Sequence, residues 1–290
     1  MPHSQSKVLH TGLIGSGIQL SSSPALHIDE ARALGLQVDY ELVDFDQIAG
    51  GATALARVLD DVQARGYVGV NVTFPAKQAV IPLLDELSHE ARALNAVNTI
   101  VFRDGKRYGH NTDWWGFAES FRRGLPGARL QRVALVGAGG AGAAVGYAAI
   151  ELGANELRIF DLDHDRAREL AERLCVLFPD RKVVATGSVE EAVRGSDGII
   201  HASPVGMLKL PGLPVPAELL KPPMWVADIV YVPLETELLR TAARNGCRVL
   251  PGNGMAVFQA AMAFELFVGR KPDAERMLAG FRSKAAVAAA

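Results

Sequence analysis

The chain has 290 residues, enough for about two domains of ordinary size. Apolar residues make up 49% and charged residues 21%, a globular composition that excludes wholesale disorder and fibrous repeats. The net charge of −2 supplies no broad basic surface, so we expect no nucleic-acid partner. Cys175 and Cys247 do not form a CxxC pair, which argues against a disulfide framework and a thiolate zinc site.

The beginning of the chain lacks the basic region and sustained apolar run of a secretory signal, so we expect a cytoplasmic protein. Residues 133–150 carry no charge and reach the lower limit of transmembrane length. The glycines crowded between residues 137 and 142 would weaken a lipid-facing helix. We therefore expect no membrane partner.

Apolar or β-branched runs alternate with helical patterns through the first part of the chain, which predicts a βαβαβ order. The predicted strands are residues 8–14, 38–43, 67–72 and 97–102, the last paired with residues 107–108. The predicted helices are residues 24–34, 53–65, 77–84 and 88–94. A further helix starts at Thr112 or Asp113 and ends before Gly124 and Pro126.

A second alternating series predicts a doubly wound parallel sheet. Its predicted strands are residues 132–136, 157–160, 182–185, 198–201, 225–230 and 248–250. Two helical patterns follow at residues 255–268 and 272–282 without strands of their own, so we expect them to return to the first domain. The prediction is an α/β protein with one discontinuous domain, residues 1–113 and 253–290, and a Rossmann-like domain, residues 114–252.

Gly137, Gly139 and Gly142 form a GxGxxG motif between the predicted strand RVALV and a helix. In that context the first glycine permits a tight turn and the second lets a pyrophosphate approach the helix N-terminus. The pattern predicts dinucleotide binding, the alternative being a turn used only for packing. The expected binding residues are Gly137, Ala138, Gly139, Gly140, Ala141 and Gly142.

Asp161 ends the next predicted strand, 19 residues beyond the last of these glycines. A carboxylate at this spacing accepts hydrogen bonds from the adenosine ribose and repels a 2′-phosphate, which predicts NAD as the cofactor, with NADP less favoured. Asp161 could instead simply start a turn with Asp163 and Asp165. The same acidic run resembles a calcium loop, but Arg166 occupies the position that needs glycine, so we expect no metal.

Polar clusters follow several strands of the first domain, at the sheet edge where α/β proteins bind ligands. They are residues 21–24, 71–77, 98–99 and 111–113. Taken singly, Ser23 or Asp113 could be a helix cap, Thr73 a strand end and Lys77 a solvated lysine. Together their hydroxyl, amide, ammonium and carboxylate groups suit a small polyhydroxylated carboxylate.

Several of these segments resemble the shikimate and quinate dehydrogenase family. They are SSSP, NVTFPAK, AVNT, HNTD, DIVYVPLET and GMAVFQAA, in the family's order and over nearly the whole chain. The resemblance implies a split substrate domain joined to an NAD(P) domain. It implies that the substrate carboxylate binds near Ser21, Ser23 and Tyr231, and the ring hydroxyls near Thr73, Lys77, Asn98, Asp113 and Gln259. Lys77 and Asp113 would be the catalytic pair.

Departures from the family pattern refine these expectations. NADP-dependent members carry an Asn-Arg-Thr stretch where this chain has FDLD at residues 160–163, similar to the NAD-preferring quinate/shikimate branch. The common Asn-Ala-Thr-Pro is replaced by His201-Ala-Ser203-Pro204, although Ser203 and Gly254 remain expected cofactor contacts. Ser23 stands where some quinate-preferring members have threonine, so shikimate should be accepted at least as readily as quinate.

The sequence therefore predicts an NAD-preferring dehydrogenase of shikimate or quinate. Two alternatives stay open: a member acting on an amino analogue such as aminoshikimate, and a catalytically silent NAD-binding regulator. A homodimer is also left open. His27, His110 and His201 are interpreted as structural, because they lack a matching serine or cysteine and carboxylate arrangement of hydrolase type.

Overall fold

The computed structural model describes residues 8–288, with side chains as far as residue 283. The chain divides into two compact units. The first unit ends at Thr112 and resumes at Gln259, and the second unit spans Asp113–Phe258. The first boundary between the units lies one residue before the expected one, and the second lies six residues after it. The assignment of the first unit to substrate binding and of the second to dinucleotide binding stays a prediction.

The first unit contains a mixed sheet of six strands in the order β2-β1-β3-β5-β6-β4. Its strands are β1 (Leu9–Gly15), β2 (Val38–Asp44), β3 (Gly69–Val72), β4 (Glu86–Leu87), β5 (Thr99–Arg103) and β6 (Lys106–His110). β1 pairs in parallel with β2 and β3, as the βαβαβ pattern predicts. β5 is antiparallel to both β3 and β6, and the short strand β4 was not predicted.

The helices of the first unit are α1 (Ser23–Ala33), α2 (Leu55–Ala64), α3 (Ala76–Ala79) and α4 (His89–Leu94), and α11 (Ala274–Ala288) closes the chain. The predicted helix over residues 77–84 is wrong in its length. α3 stops at Ala79 and a separate 3-10 turn, Ile81–Leu83, follows. The reason is Pro82, which has no amide hydrogen to continue the helical ladder.

The C-terminal helix is fixed to α1 by a buried carboxylate. Glu30 is 2% exposed and accepts hydrogen bonds from Arg276 Nη2 at 2.7 Å and Arg276 Nε at 2.9 Å. The Asp273 amide donates to the same carboxylate at 2.7 Å. The residues after Gln259 are therefore an integral part of the first unit.

The second unit contains a fully parallel sheet in the order β12-β11-β10-β7-β8-β9. Its strands are β7 (Arg132–Val136), β8 (Glu156–Phe160), β9 (Lys182–Ala185), β10 (Gly198–His201), β11 (Trp225–Asp228) and β12 (Arg248–Leu250). Its helices are α5 (Asp113–Gly124), α6 (Gly140–Glu151), α7 (His164–Leu177), α8 (Val189–Val193) and α9 (Glu237–Arg244), with α10 (Asn253–Val268) crossing the division between units.

This strand order confirms the predicted α/β fold class with a doubly wound sheet. The order reverses between β7 and β10, the place where such sheets leave a crevice at the strands' carboxyl ends. The apolar segment that could have been taken for a membrane span is β7 followed by α6. In the described part of the chain, no helix has both the length and the hydropathy to cross a bilayer.

Candidate active site

The glycine turn joins β7 to α6 in the second unit. Gly137 has φ +107°, and a Cβ there would lie 2.7 Å from the Ala202 carbonyl. A Cβ on Gly142 would lie 2.1 Å from the Gly137 oxygen, so the turn has no room for a side chain at either position. A Cβ on Gly139 would meet nothing within 4 Å. The open approach at Gly139, beside the N-terminus of α6, fits the pyrophosphate of a dinucleotide.

The Asp161 carboxylate lies beside this turn. It follows β8, and Oδ2 accepts a hydrogen bond from the Ala138 amide at 2.6 Å. Oδ1 accepts from the Asp163 amide at 2.9 Å. The half-buried carboxylate therefore sits where the sequence expects it, with lone pairs left for the hydroxyls of a ribose.

The rest of the acidic run has local roles. Asp163 caps α7 through the amides of Asp165 and Arg166, and its Oδ2 lies 3.1 Å from Arg166 Nε. Asp165 pairs with Arg168. Within the described residues, no three His, Cys, Asp or Glu side chains are grouped to hold a metal ion.

Ser203 begins a hydrogen-bond chain that gives His201 two partners the sequence interpretation did not expect. Ser203 Oγ lies 2.6 Å from His201 Nε2, and His201 Nδ1 lies 2.8 Å from Asp228 Oδ1. His201 thus has both the serine and the carboxylate that the sequence did not reveal beside it. They meet because parallel β10 and β11 pair His201 with Asp228 directly, a register that sequence spacing does not show.

The other two histidines keep their structural interpretation. His27 is 1% exposed and packs against the rings of Tyr40, Phe264 and Phe267. Burial lowers the pKa of His27 to about 3, so this side chain is neutral. Burial also lowers the pKa of His110.

Asn98 and Gln259 are brought together in the first unit through Thr112. Asn98 Nδ2 donates to Thr112 Oγ1 at 2.9 Å, and Asn98 Oδ1 accepts from the Thr112 amide at 2.8 Å. Thr112 Oγ1 lies 3.4 Å from Gln259 Oε1. Asn98 is buried and Gln259 half-buried, so one expected substrate contact is rigidly held and the other partly accessible.

The serine pair and the Lys77 helix follow other strands of the same unit. Ser21 Oγ lies 3.2 Å from Ser23 Oγ at the start of α1. The Thr73 carbonyl accepts from the Ala76 amide at 2.9 Å, which starts α3 directly after β3. The carbonyl of Lys77, on α3, accepts from the Val97 amide at 2.8 Å, and the Lys77 side chain is half-buried.

Two buried residues that the sequence interpretation did not single out support this edge of the sheet. Tyr40, on β2, donates to Asn71 Oδ1 at 2.9 Å and also hydrogen-bonds the Ser23 side chain. Asp44 accepts from the amides of Gly17 at 3.0 Å and Ile18 at 3.3 Å, and so fixes the loop before the serines. The sequence shows Tyr40 and Asp44 only as polar residues within a predicted strand or directly after it, and it does not identify the groups to which they hydrogen-bond.

The remaining expected residues lie in the second unit. Asp113 directly follows Thr112, is 8% exposed and begins α5. Tyr231 is 39% exposed in the segment after β11. A Cβ on Gly254 would lie 2.2 Å from Ser120 Oγ, so packing within the unit is enough to explain why this position is glycine.

The shikimate dehydrogenase substrate binding domain model matches residues 13–100, and the shikimate 5′-dehydrogenase C-terminal domain model matches residues 252–279. A shikimate dehydrogenase (NADP(+)) of Streptomyces avermitilis is 52% identical over 280 residues, 96% of each chain. The chain belongs to the shikimate/quinate dehydrogenase family. A quinate/shikimate dehydrogenase (NAD(+)) of Corynebacterium efficiens is 44% identical over 94% of this chain and 97% of that protein.

The fold comparison agrees with this membership of the shikimate/quinate dehydrogenase family. A quinate dehydrogenase from Corynebacterium glutamicum, solved in complex with NAD, has a TM-score of 0.92 at 41% identity, covering 96% of this chain and all of that one. The resemblance stated from the motifs is therefore confirmed. The protein is an oxidoreductase acting on a CH–OH group with a nicotinamide dinucleotide.

Proposed function

We propose that this family member is an NAD-preferring dehydrogenase that oxidises a ring hydroxyl of shikimate, and also of quinate, with Lys77 and Asp113 as its catalytic pair. The observation that carries the cofactor preference is the Asp161 carboxylate beside the glycine turn, 2.6 Å from the Ala138 amide. The relatives alone do not decide it, because they include proteins named for NADP(+) and for NAD(+).

Charge supports NAD over NADP. A ribose 2′-hydroxyl donates a hydrogen bond to a carboxylate, whereas a 2′-phosphate meets like-charge repulsion. The run FDLD at residues 160–163 offers no arginine or lysine to neutralise that phosphate. Asp161 therefore favours the cofactor with the free hydroxyl.

Hydrogen-bonding groups of the first unit support a polyhydroxylated carboxylate as substrate. Ser21 and Ser23 would hold the carboxylate, with Tyr231 contributing from the segment after β11. Thr73, Asn98 and Gln259 would hold ring hydroxyls. Preorganised groups suit this task, and the bonds of Asn98 to Thr112 at 2.8 and 2.9 Å fix one of them before substrate binds.

Lys77 and Asp113 suit the proton transfer of reversible alcohol oxidation. A dinucleotide bound at the glycine turn would supply the acceptor for the hydride of the carbinol carbon. Lys77 takes the hydroxyl proton as the C–O bond becomes a carbonyl, and it returns the proton in the reverse reaction. Asp113 would accept a hydrogen bond from the lysine and so orient it toward the reacting hydroxyl. Such transfer contributes roughly 10² to 10⁴-fold in rate.

A substrate and cofactor panel tests the proposal. Purified protein is assayed with shikimate, quinate and aminoshikimate, each with NAD and NADP. We expect turnover of shikimate with NAD at the highest kcat/KM and measurable turnover of quinate. Preference for aminoshikimate would assign the amino analogue as substrate, and binding of NAD without turnover of any compound would indicate a silent regulator.

A further inference from the structure

A cavity opens at the amino ends of the strands in the second unit, and its volume is about 390 Å³. The first residues of β7, β8 and β9 line it, namely Arg132, Glu156 and Lys182. These residues are neighbours because the parallel register pairs Arg132 with Glu156 and Glu156 with Lys182. The glycine turn begins at Gly137, at the other end of β7 and roughly 16 Å away along the strand. The cavity is therefore distinct from the turn that fits a dinucleotide.

The lining of this cavity is predominantly polar. Besides the three strand residues it includes Gln131, Asn155 and Asp197. Asn155 Nδ2 donates to Gln131 Oε1 at 2.6 Å, and the Arg132 amide donates to Asp197 Oδ2 at 2.9 Å. A cavity of this volume is large enough for a small molecule, and amide and charged groups suit a hydrophilic one.

The Glu156 carboxylate collects three cations at the cavity wall. Arg158 Nε donates to Oε1 at 2.7 Å, and Arg132 Nε donates to Oε2 at 3.1 Å. Lys182 Nζ lies 3.3 Å from Oε1. Burial raises the pKa of Glu156, but hydrogen bonds from the three cations outweigh it and lower the pKa to about 2. The carboxylate is therefore ionised at neutral pH, one negative charge among three positive ones.

Two more arginines extend this group. Arg129 Nε lies 3.7 Å from Asp197 Oδ1, and Arg181 donates to Asn155 Oδ1. The basic network so defined consists of five cations and two carboxylates: Arg129, Arg132, Arg158, Arg181 and Lys182 with Glu156 and Asp197. It has an excess of three positive charges, although the whole chain carries −2. Like charges this close repel one another, and a bound anion would offset that repulsion.

The two lining cations have more donors than these contacts use. The ammonium of Lys182 has three N–H donors, and its contact with Glu156 Oε1 takes one of them. The guanidinium of Arg132 has five, of which Nε donates to Glu156 and Nη1 to the Gly195 carbonyl at 3.2 Å. The side chains of Lys182 and Arg132 are 64% and 38% exposed, so a ligand in the cavity can reach both.

We propose that this cavity binds a phosphate group, either free phosphate or the monoester of a small hydroxylated molecule. Lys182 and Arg132 donate to the phosphate oxygens, and the amides of Asn155 and Gln131 contact the remainder of an ester. Phosphate carries about −1.5 to −2 at pH 7, so it offsets more of the positive excess than a single carboxylate would. The proposal is independent of the proposed function, because it involves neither the glycine turn nor the polar edge of the first unit.

Titration with inorganic phosphate tests the site, followed by calorimetry and by phosphorus-31 NMR. The glycine turn can itself attract phosphate, since it lies at a helix N-terminus, so each titration is run with and without saturating NAD. Phosphate that NAD displaces belongs to the turn. We expect one phosphate per chain to stay bound in the presence of NAD, and chloride at the same ionic strength to give no such binding.

Substitutions at Lys182 assign the bound phosphate to the cavity. Lys182→Ala should weaken phosphate binding about tenfold, because a charge-assisted hydrogen bond is lost, whereas Lys182→Arg should retain it. Lys106→Ala is the matched control, another exposed lysine paired with a glutamate, Glu86, at 3.0 Å. It should bind phosphate like the unmodified protein, and NAD affinity should be the same in all three variants.

A second ligand, glycerol 3-phosphate, distinguishes the two sources of the phosphate group. Tighter binding of the ester than of phosphate assigns a phosphate monoester to the cavity, and equal or weaker binding of the ester assigns free phosphate. The proposal is overturned if no phosphate stays bound in the presence of NAD, or if chloride at equal ionic strength has the same effect. Equal affinities of Lys182→Ala and Lys106→Ala for phosphate overturn it as well.

Discussion

The Asp161 carboxylate and the Ala138 amide are joined by a hydrogen bond of 2.6 Å, which ties the end of β8 to the glycine turn after β7. The same side chain therefore holds the turn and, in the proposed function, would also bind the adenosine ribose. This double role has consequences for cofactor choice.

We expect kcat/KM to favour NAD over NADP by at least tenfold, about 1.4 kcal/mol, because Asp161 repels a 2′-phosphate. Asp161→Ala should erode this preference. The matched control is Asp163→Ala, which loses the cap of α7 and about 1 kcal/mol of stability but should keep the preference. Equal efficiency with both cofactors in the unmodified enzyme would refute the role of Asp161.

The glycine turn offers a contrast between packing and binding. Gly139→Ala should leave the melting temperature nearly unchanged, since its Cβ meets nothing within 4 Å, but should weaken NAD binding by blocking the pyrophosphate. Gly142→Ala should lower the melting temperature, because its Cβ would lie 2.1 Å from the Gly137 oxygen. Calorimetry and NAD titration of both variants check this, and unchanged affinity in Gly139→Ala would contradict it.

Removal of the proposed proton acceptor should affect the chemical step. We expect Lys77→Ala to lower kcat by 10² or more with a much smaller rise in KM, because a transition-state interaction is lost. Asp113→Asn should behave similarly, and the double variant should be little worse than the poorer single one. Lys106→Ala, which loses an exposed pair with Glu86, is the control. A rise in KM with kcat retained would make Lys77 a binding residue.

The ion pair between the buried Glu30 and the exposed Arg276 should contribute to the stability of the first unit. Arg276→Ala leaves the 1%-exposed Glu30 side chain with only the Asp273 amide among the donors described above, so we expect a loss of about 2–4 kcal/mol in urea unfolding. Arg282→Ala, at an exposed position of the same helix, should change stability by less than about 0.5 kcal/mol. Similar losses in both variants would argue against the pair.

The acid stability of the second unit should depend on Glu156. Burial raises the pKa of this carboxyl, but hydrogen bonds from Arg158, Arg132 and Lys182 outweigh it and lower the pKa to about 2. Because the folded value lies below the unfolded one, the stabilisation is complete above about pH 4.5 and is lost as the pH falls toward 2. Its size is of order 2 kcal/mol.

Glu156→Gln measures this contribution. Its stability deficit by urea unfolding should be full at pH 7 and should shrink progressively below pH 4.5. Glu151→Gln, an exposed glutamate at the end of α6, serves as the control and should show little deficit at pH 7. A deficit for Glu156→Gln that stays constant from pH 7 to pH 2 would exclude the linkage.

The sequence by itself determined the features that depend on short stretches of chain. The glycine spacing and the strand before it predict the turn between β7 and α6, because both act through local backbone geometry. The position of Asp161 beside that turn follows from the repeated strand-helix-strand spacing. Alternating apolar runs likewise predict most strands and the α/β class. The predicted helix over residues 77–84 is wrong in its length, because Pro82 cannot continue the helical hydrogen bonds that the apolar pattern favours.

Tertiary structure alone decided the partners of buried polar groups. Asp228 meets His201 through the register of two parallel strands separated by a long crossover, and Arg276 meets Glu30 from the far end of the chain. Neither pair follows from sequence spacing, because strand register and helix docking are fixed by the packing of the whole core. The local sequence therefore supplied the chemical groups, and the fold decided which of them meet.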